Sequence, residues 1–409
     1  MKKIKSTHKL LFAICLTLSL QGCGKTSNAP FTPSNSSDQS AQGPEVFSEA
    51  TEDSQLEQTE EVHGTRIHQR RIAKINIAAL RKALEGNSGS LTLNLFKNKK
   101  FSIQVDSITK NSDSNYVATG HIKGEVDSSV TLVLNDNVLV LTVKSSTDDQ
   151  TYEAHYDGKS GGHEITEQTE VEDTEDSCAT VEAPQDGEDP IIDENQGDSV
   201  LEVPTIRMLV VYTPNARIKV GGASAMQALI QLGVADANTA FSNSGTNLQV
   251  QLAGTLETNS NESSSYSNDL NSLRSSTDSK WNEIHAARTK YSADQVTLIG
   301  AYTNVSNPVG IGFYKASKSY AFTIVKYSVI STMFTLAHEL GHNIGLAHED
   351  GYVNSIGKFR TIMAYGTYKR IRRYSNPNIS YNGLKIGTSS QYSAKIINSN
   401  SVRMAGLIP

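Results

Sequence analysis

The sequence has three cysteines in 409 residues, Cys15, Cys23 and Cys178. With Cys15 inside an apolar leader, they are too few for a disulfide framework. The apolar run LLFAICLTLSL at 10–20 is too short to cross a membrane as an ordinary helix. No Lys or Arg occurs from Ser160 to Ile206, so that stretch cannot neutralise its own many acids. No basic stripe interleaved with aromatics is found either, which argues against nucleic-acid binding. Hydrophobic residues make up 37%, low enough that part of the chain should lie outside packed domains.

What is present begins with a leader. MKKIKSTHK is a basic segment, LLFAICLTLSL follows it, and QGC comes next, the order of an export signal. Leu20-Gln21-Gly22-Cys23 resembles the lipobox of bacterial lipoproteins. The resemblance implies a signal over 1–22, a mature chain starting at lipid-bearing Cys23, and attachment to the membrane through that lipid. Gly24 by the same resemblance points to the outer membrane or cell surface, with release of the catalytic part from the cell envelope left open. Residues 23–58 are rich in Ser, Asn, Gln, Pro and acid with almost no apolar pattern and are expected to form a disordered tether. With Cys15 and Cys23 so assigned, Cys178 remains, and no disulfide can form within the mature chain.

Charge divides the rest. Before residue 203 there are 18 basic and 33 acidic residues, and from 203 onward 19 and 10. An acidic front half is therefore joined to a basic back half, with 168–202 read as a solvated acidic linker carrying Cys178. Period-two segments such as SLTLNLF, FSIQVDSI, SVTLVLND and NVLVLTVKS predict a mostly β domain over 59–167, a sandwich or twisted meander. Its histidines, His63, His68, His121, His155 and His163, have no ligand spacing and read as surface or loop residues. From 203 strands and helices alternate, the pattern of an α/β unit. VPTIRMLVVYTP, LQVQLAGTLE and DQVTLIGAY read as strands, SAMQALIQLGVADANTAFSNSG as a helix, and the polar SNDLNSLRSS as a lead-in to a helix around DSKWNEIHAARTKY. VGIGFY and YAFTIVKY follow as short strands, and TMFTLAHELGHNIG as a helix ending at Gly345.

That last helix carries the chemistry. His338 and His342 are four residues apart, so both imidazoles leave one helix face about one turn apart and can meet one zinc ion. Gly345 tolerates the left-handed conformation that closes a helix, and the chain can then double back to bring His348 to the same ion. Three imidazoles leave a fourth position for water, the arrangement of a catalytic zinc site rather than a four-ligand structural one. Glu339, beside the first ligand, is placed to take a proton from that water. Nothing indicates a structural calcium ion.

HELGHNIGLAH with TIMAY downstream resembles the metzincin metallopeptidases, whose signature joins the zinc motif to a Met-turn. VVYTPNAR, TIMAY and RRYSNPNISYNGLKIGT make 203–409 most similar to the bacterial reprolysin-like (adamalysin-type) members. The resemblance implies a metzincin-like catalytic domain: a twisted five-stranded mixed sheet, a zinc helix and a Met-turn, preceded by a mostly β propeptide domain, in all α+β and α/β. It implies that Met363 forms an apolar floor under the histidines, and that Tyr365 approaches the metal or the oxyanion. VGIGFY is the candidate antiparallel edge strand, to which an extended protein or peptide substrate could add. Glu349 follows the third histidine where relatives often have Asp, and the cysteine pair common before the zinc helix is missing.

In several metzincin groups a propeptide cysteine blocks the zinc. Cys178 resembles such a switch and the preceding domain an intramolecular inhibitor, although DSCAT lacks a recognisable switch motif and a linker cysteine of no function is the alternative. Lys369, Arg370, Arg372 and Arg373 stand where related enzymes form the pocket wall after the scissile bond, which would favour acidic side chains. A solvated loop or a dock for the acidic propeptide reads equally well. The expected function is thus a zinc-dependent endopeptidase made as a zymogen. The alternative from another class is a surface-binding or adhesin lipoprotein on a catalytically weak scaffold, which could dispense with Glu339 at no structural cost.

Overall fold

A computed structural model of the protein describes residues 43–48, 54–62, 65–86, 89–171, 178–184, 202–303 and 308–409. The leader, Cys23 and the tether up to residue 42 lie outside them, as does His63.

The first unit is built on alternation. Among the described residues its strands are β1 (Ser54–Val62), β2 (Thr65–Ala73), β3 (Ser90–Phe96), β4 (Lys99–Ser112), β5 (Asn115–Ile122), β6 (Glu125–Asn135), β7 (Val138–Lys144), β8 (Thr151–Asp157) and β9 (Gly162–Glu170). They form one antiparallel sheet in the order β1-β2-β9-β8-β7-β6-β5-β4-β3, a meander from β3 to β9 and not a sandwich. Helix α1 (Ile77–Glu85) is started by the Asn76 side chain, which accepts from the Ala79 N–H, and buries Leu80, Ala83 and Leu84. Leu132, Leu134, Leu139 and Leu141 turn inward to this unit's own core. Val133, Val138 and Val140 belong instead to the core of the following unit. In β6 the two sets alternate because successive side chains point to opposite sheet faces.

Two boundaries differ from the sequence reading. Val46 and Phe47, assigned to the tether, are buried and bridge Thr92 and Ile75 through their segment. Strand β1 also begins inside that tether, at Ser54. The acidic linker contributes the end of β9 and a further strand, β10 (Cys178–Glu182). Acid-rich composition hides such strands because the charges find their partners only in the tertiary structure.

The second unit is a three-layered α/β arrangement. Strand β11 (Thr205–Tyr212) is followed by α2 (Pro214–Val220), α3 (Ala223–Asn243), β12 (Gln249–Glu257), α4 (Tyr266–Arg274), α5 (Asn282–Lys290), β13 (Gln295–Gly300), β14 (Gly310–Tyr314), β15 (Phe322–Lys326) and α6 (Thr335–Ile344). The sheet order is β10-β14-β15-β13-β11-β12. Only β14 is antiparallel to its sheet neighbour β15, and β10 lies parallel on its outer side with Cys178 opposite Gly310. The edge expected to be open to a substrate is thus covered by the chain itself. The polar SNDLNSLRSS is no mere lead-in, since it supplies most of α4. The Ser265 side chain caps this helix by accepting from the Asn268 N–H, and Tyr266, Leu270 and Leu273 are buried along one face.

The lower part consists of β16 (Val353–Asn354), β17 (Phe359–Arg360) and β18 (Lys369–Arg370), a hairpin of β19 (Asn376–Tyr381) and β20 (Leu384–Ile386), and helix α7 (Ser393–Ala405). No described helix is long and apolar enough to cross a membrane.

Candidate metal centre

Helix α6 is wholly buried, and its end decides the site. Gly345 closes it at φ 116°, its N–H donating to the Gly341 and His342 carbonyls. A side chain there would strain the left-handed backbone. The chain reverses, and His348 returns to the two helical histidines. His342 Nε2 lies 3.2 Å from His338 Nε2, which lies 3.3 Å from His348 Nε2.

Two tautomers are fixed by backbone carbonyls. His338 Nδ1 donates to the Ile362 carbonyl and His342 Nδ1 to the Leu346 carbonyl, both at 2.8 Å, because a carbonyl can only accept. Their Nε2 lone pairs therefore face each other. Burial, followed by mutual repulsion, pushes the His342 imidazole down to about 3 and His338 well below its ordinary value. Converging neutral lone pairs in a buried pocket are what a soft or borderline cation needs. Cys178 Sγ and one nitrogen from each histidine lie within 4.8 Å of one another. The donor set of three imidazoles and a thiol fits zinc.

Cys178 is buried. Its thiol donates to Glu339 Oε1 at 3.2 Å and stands 3.4 Å from His342 Nε2. Glu339 is fully buried and packs against the backbone of β14. A Cβ on Gly310 would lie 2.2 Å from Glu339 Oε1, so only glycine leaves that carboxylate its place. Tyr365 Oη is 2.8 Å from His348 Nε2 and donates to the Cys178 carbonyl at 3.3 Å. Met363 is buried, and its Sδ would lie 2.7 Å from a Cβ on Gly341. The glycine in HELGH thus makes room for the methionine.

The basic run lines a small cleft that it shares with Asp127, Ser128 and Lys144 of the N-terminal β domain. Lys369 donates to the Ser145 and Asp148 carbonyls, and Arg372 to Thr131 Oγ1 and, at 2.6 Å, to Asp236. Arg373 reaches Asp127, and Arg370 holds the Met333 carbonyl at 2.8 Å. Ser145, Asp148, Thr131 and Asp127 all belong to the N-terminal β domain, so the run is where that domain docks. His163 is no surface residue either: it is buried and its Nε2 accepts from the Leu139 N–H at 3.0 Å.

Sequence reasoning passed over Gly310, Gly341, Arg360, Lys144 and Glu170. The glycines could have been suspected from their place in the edge strand and zinc motif. The other three carry no motif, since they meet only in the folded chain: Glu170 lies 2.6 Å from Lys144 Nζ within its own domain and 2.8 Å from Arg360 Nη2 across the interface.

The profile of metallo-peptidase family M12, reprolysin type, matches residues 204–375. A peptidyl-Asp metalloendopeptidase of Stenotrophomonas maltophilia is 34% identical over 208 residues, 46% of this chain and 48% of that protein. One from Xanthomonas campestris is 33% identical over 204 residues, covering 46% and 47%. The chain thus spans about half the length of these relatives. Among solved structures, metalloproteinase-II from Bacteroides fragilis superposes with a TM-score of 0.43 at 13% identity, over 78% of this chain and 91% of that one.

Proposed function

Since residues 204–375 are a reprolysin-like domain of metallo-peptidase family M12, we propose that the protein is a zinc-dependent endopeptidase, made as a latent precursor and held at the bacterial cell envelope by lipid on Cys23. The observation that carries this reading is the convergence of three Nε2 atoms beside the buried carboxylate of Glu339. In this proposal His338, His342 and His348 hold the ion. Zinc, when bound, supplies the Lewis acidity that makes water a nucleophile near neutral pH and polarises a peptide carbonyl.

The chain's own groups do the rest. Glu339 takes the proton of the attacking water and passes it to the leaving amine. Its burial keeps competing water away and strengthens the electrostatics. Tyr365 donates toward the carbonyl oxygen as negative charge builds there, and Met363 keeps the floor apolar.

Latency follows from where Cys178 sits. Its sulfur takes the space a nucleophile needs and engages the base, while β10 fills the edge of β14 where a substrate would add. Residues 43–184 then act as an intramolecular inhibitor. Because the relatives are peptidyl-Asp metalloendopeptidases, substrates with aspartate at the scissile bond are the first to try. The binding-scaffold alternative gains no support, as the base and all three imidazoles are retained.

The test is metal analysis of the full-length protein and casein hydrolysis by its Cys178→Ser variant, with and without a chelator, beside the same variant carrying Glu339→Ala. One zinc per chain and activity lost in both treatments are expected. Activity insensitive to both would overturn the reading.

A further inference from the structure

We infer that Arg360 and Arg370 form a carboxylate-binding subsite beside the metal centre, filled by Glu170 of the N-terminal domain in this form of the chain and by an acidic substrate side chain when that domain withdraws. The inference rests on the peptidase reading for its second half only.

The subsite is built before any ligand arrives. Arg360 Nε donates to the Tyr368 carbonyl at 2.7 Å and its Nη1 to the Ala364 carbonyl at 2.9 Å. Arg370 Nη1 donates to the Met333 carbonyl at 2.8 Å and its Nη2 to the Ala364 carbonyl at 3.3 Å. These four hydrogen bonds go to three carbonyls, all of the catalytic unit, so none of these anchors is supplied by the N-terminal domain. Ala364 lies two residues after Ile362, whose carbonyl accepts from His338 Nδ1 at 2.8 Å, which places the pair beside the histidine cluster.

Glu170 shows what the subsite holds. Its Oε2 accepts from Arg360 Nη2 at 2.8 Å and from the Arg370 backbone N–H at 3.1 Å, while its Oε1 accepts from Lys144 Nζ at 2.6 Å. The carboxylate is almost fully buried. Burial alone would push its pKa up, but Lys144, Arg360 and Arg370 together outweigh that and hold it below the ordinary value. Lys144 and Glu170 come from the same domain, so they leave together and take no net charge with them. The Arg360 Nη2 and the Arg370 backbone N–H that held the carboxylate remain, with the Arg370 charge close by. Lys369, Arg372 and Arg373, which the sequence reading grouped with Arg370, point to other partners and are not part of it.

Two experiments on the full-length protein test the two halves. Glu170→Ala should open a carboxylate-sized hole, so acetate should raise its melting temperature by about 3 °C or more over chloride at equal ionic strength, with no such difference in the unsubstituted protein. No acetate-specific rise would remove the subsite. The second uses Cys178→Ser protein that also carries Glu170→Ala, so that the subsite is vacant, and quenched peptides that carry one Asp or one Asn at each position around the scissile bond. At one position Asp should be favoured at least about tenfold in kcat/KM, and Arg360→Met or Arg370→Met should bring that ratio to within about threefold of unity. An unchanged ratio in folded variants, or no Asp preference to begin with, overturns the substrate half. Cleavage of neither peptide would remove the peptidase reading with it, whereas acetate rescue reads the subsite alone.

Discussion

The Cys178 thiol donates to the Glu339 carboxylate at 3.2 Å while its sulfur stands 3.4 Å from His342 Nε2. One side chain therefore engages the candidate base and a candidate ligand together. It can do so because β10 runs in register along β14 with Cys178 opposite Gly310, and the missing Cβ at Gly310 lets Glu339 lie against that strand.

Replacing the thiol should loosen this arrangement. Cys178→Ser in the full-length protein is expected to raise basal casein hydrolysis by about tenfold or more, equivalent to about 1.4 kcal/mol of restored transition-state access. A serine hydroxyl is a far poorer zinc ligand than a soft thiolate. Unchanged latency in a folded variant would sink the switch.

Glu339→Gln keeps the shape and removes the base. Turnover of the Cys178→Ser protein should fall by at least about a hundredfold, with zinc content by metal analysis unaltered because the three imidazoles remain. Equal loss of zinc and activity would instead assign Glu339 a structural role.

Gly310→Ala tests whether the base needs the strand's bare backbone. The new methyl would sit 2.2 Å from Glu339 Oε1, so the carboxylate must move. Activity in the Cys178→Ser background is expected to drop by about tenfold or more with zinc retained. An active Gly310→Ala variant would show that the carboxylate has room elsewhere.

Acid should loosen the domain interface. Glu170 has its pKa held below the ordinary 4.5. Its stabilisation is therefore fully present above that value and is lost as pH falls through the lower folded value. Susceptibility to an acid-tolerant protease should rise below about pH 4.5. Glu170→Gln should abolish much of that dependence, and at neutral pH should cost about 3 kcal/mol, since it leaves buried cations poorly compensated. A pH profile identical in the two proteins would place the acid-sensitive contact elsewhere.

The helix with His338 and His342, its stop at Gly345 and the return of His348 were legible because each follows from local backbone geometry within eleven positions. The strands of the catalytic sheet were legible as apolar runs, and β14 as a candidate edge strand from the resemblance. Strand β10 was not, because five residues in an acidic stretch have no reason to be extended until β14 offers hydrogen bonds. The same holds for Glu170, which reads as one more linker acid. It becomes a buried ion-pair partner only when Lys144 and Arg360, 26 and 190 positions away, are brought to it.

The sequence by itself determined the ligating residue types, their spacing and the charge asymmetry between the halves, since these depend on chain order and helical periodicity alone. Only the tertiary structure decided which charges are buried and who neutralises them, because that depends on long-range closure of the chain. Among the readings open for Lys369, Arg370, Arg372 and Arg373 it selected the dock for the N-terminal domain, and it brought Arg360 to join Arg370. It also put Cys178 against Glu339, a contact across 161 positions that no local pattern encodes.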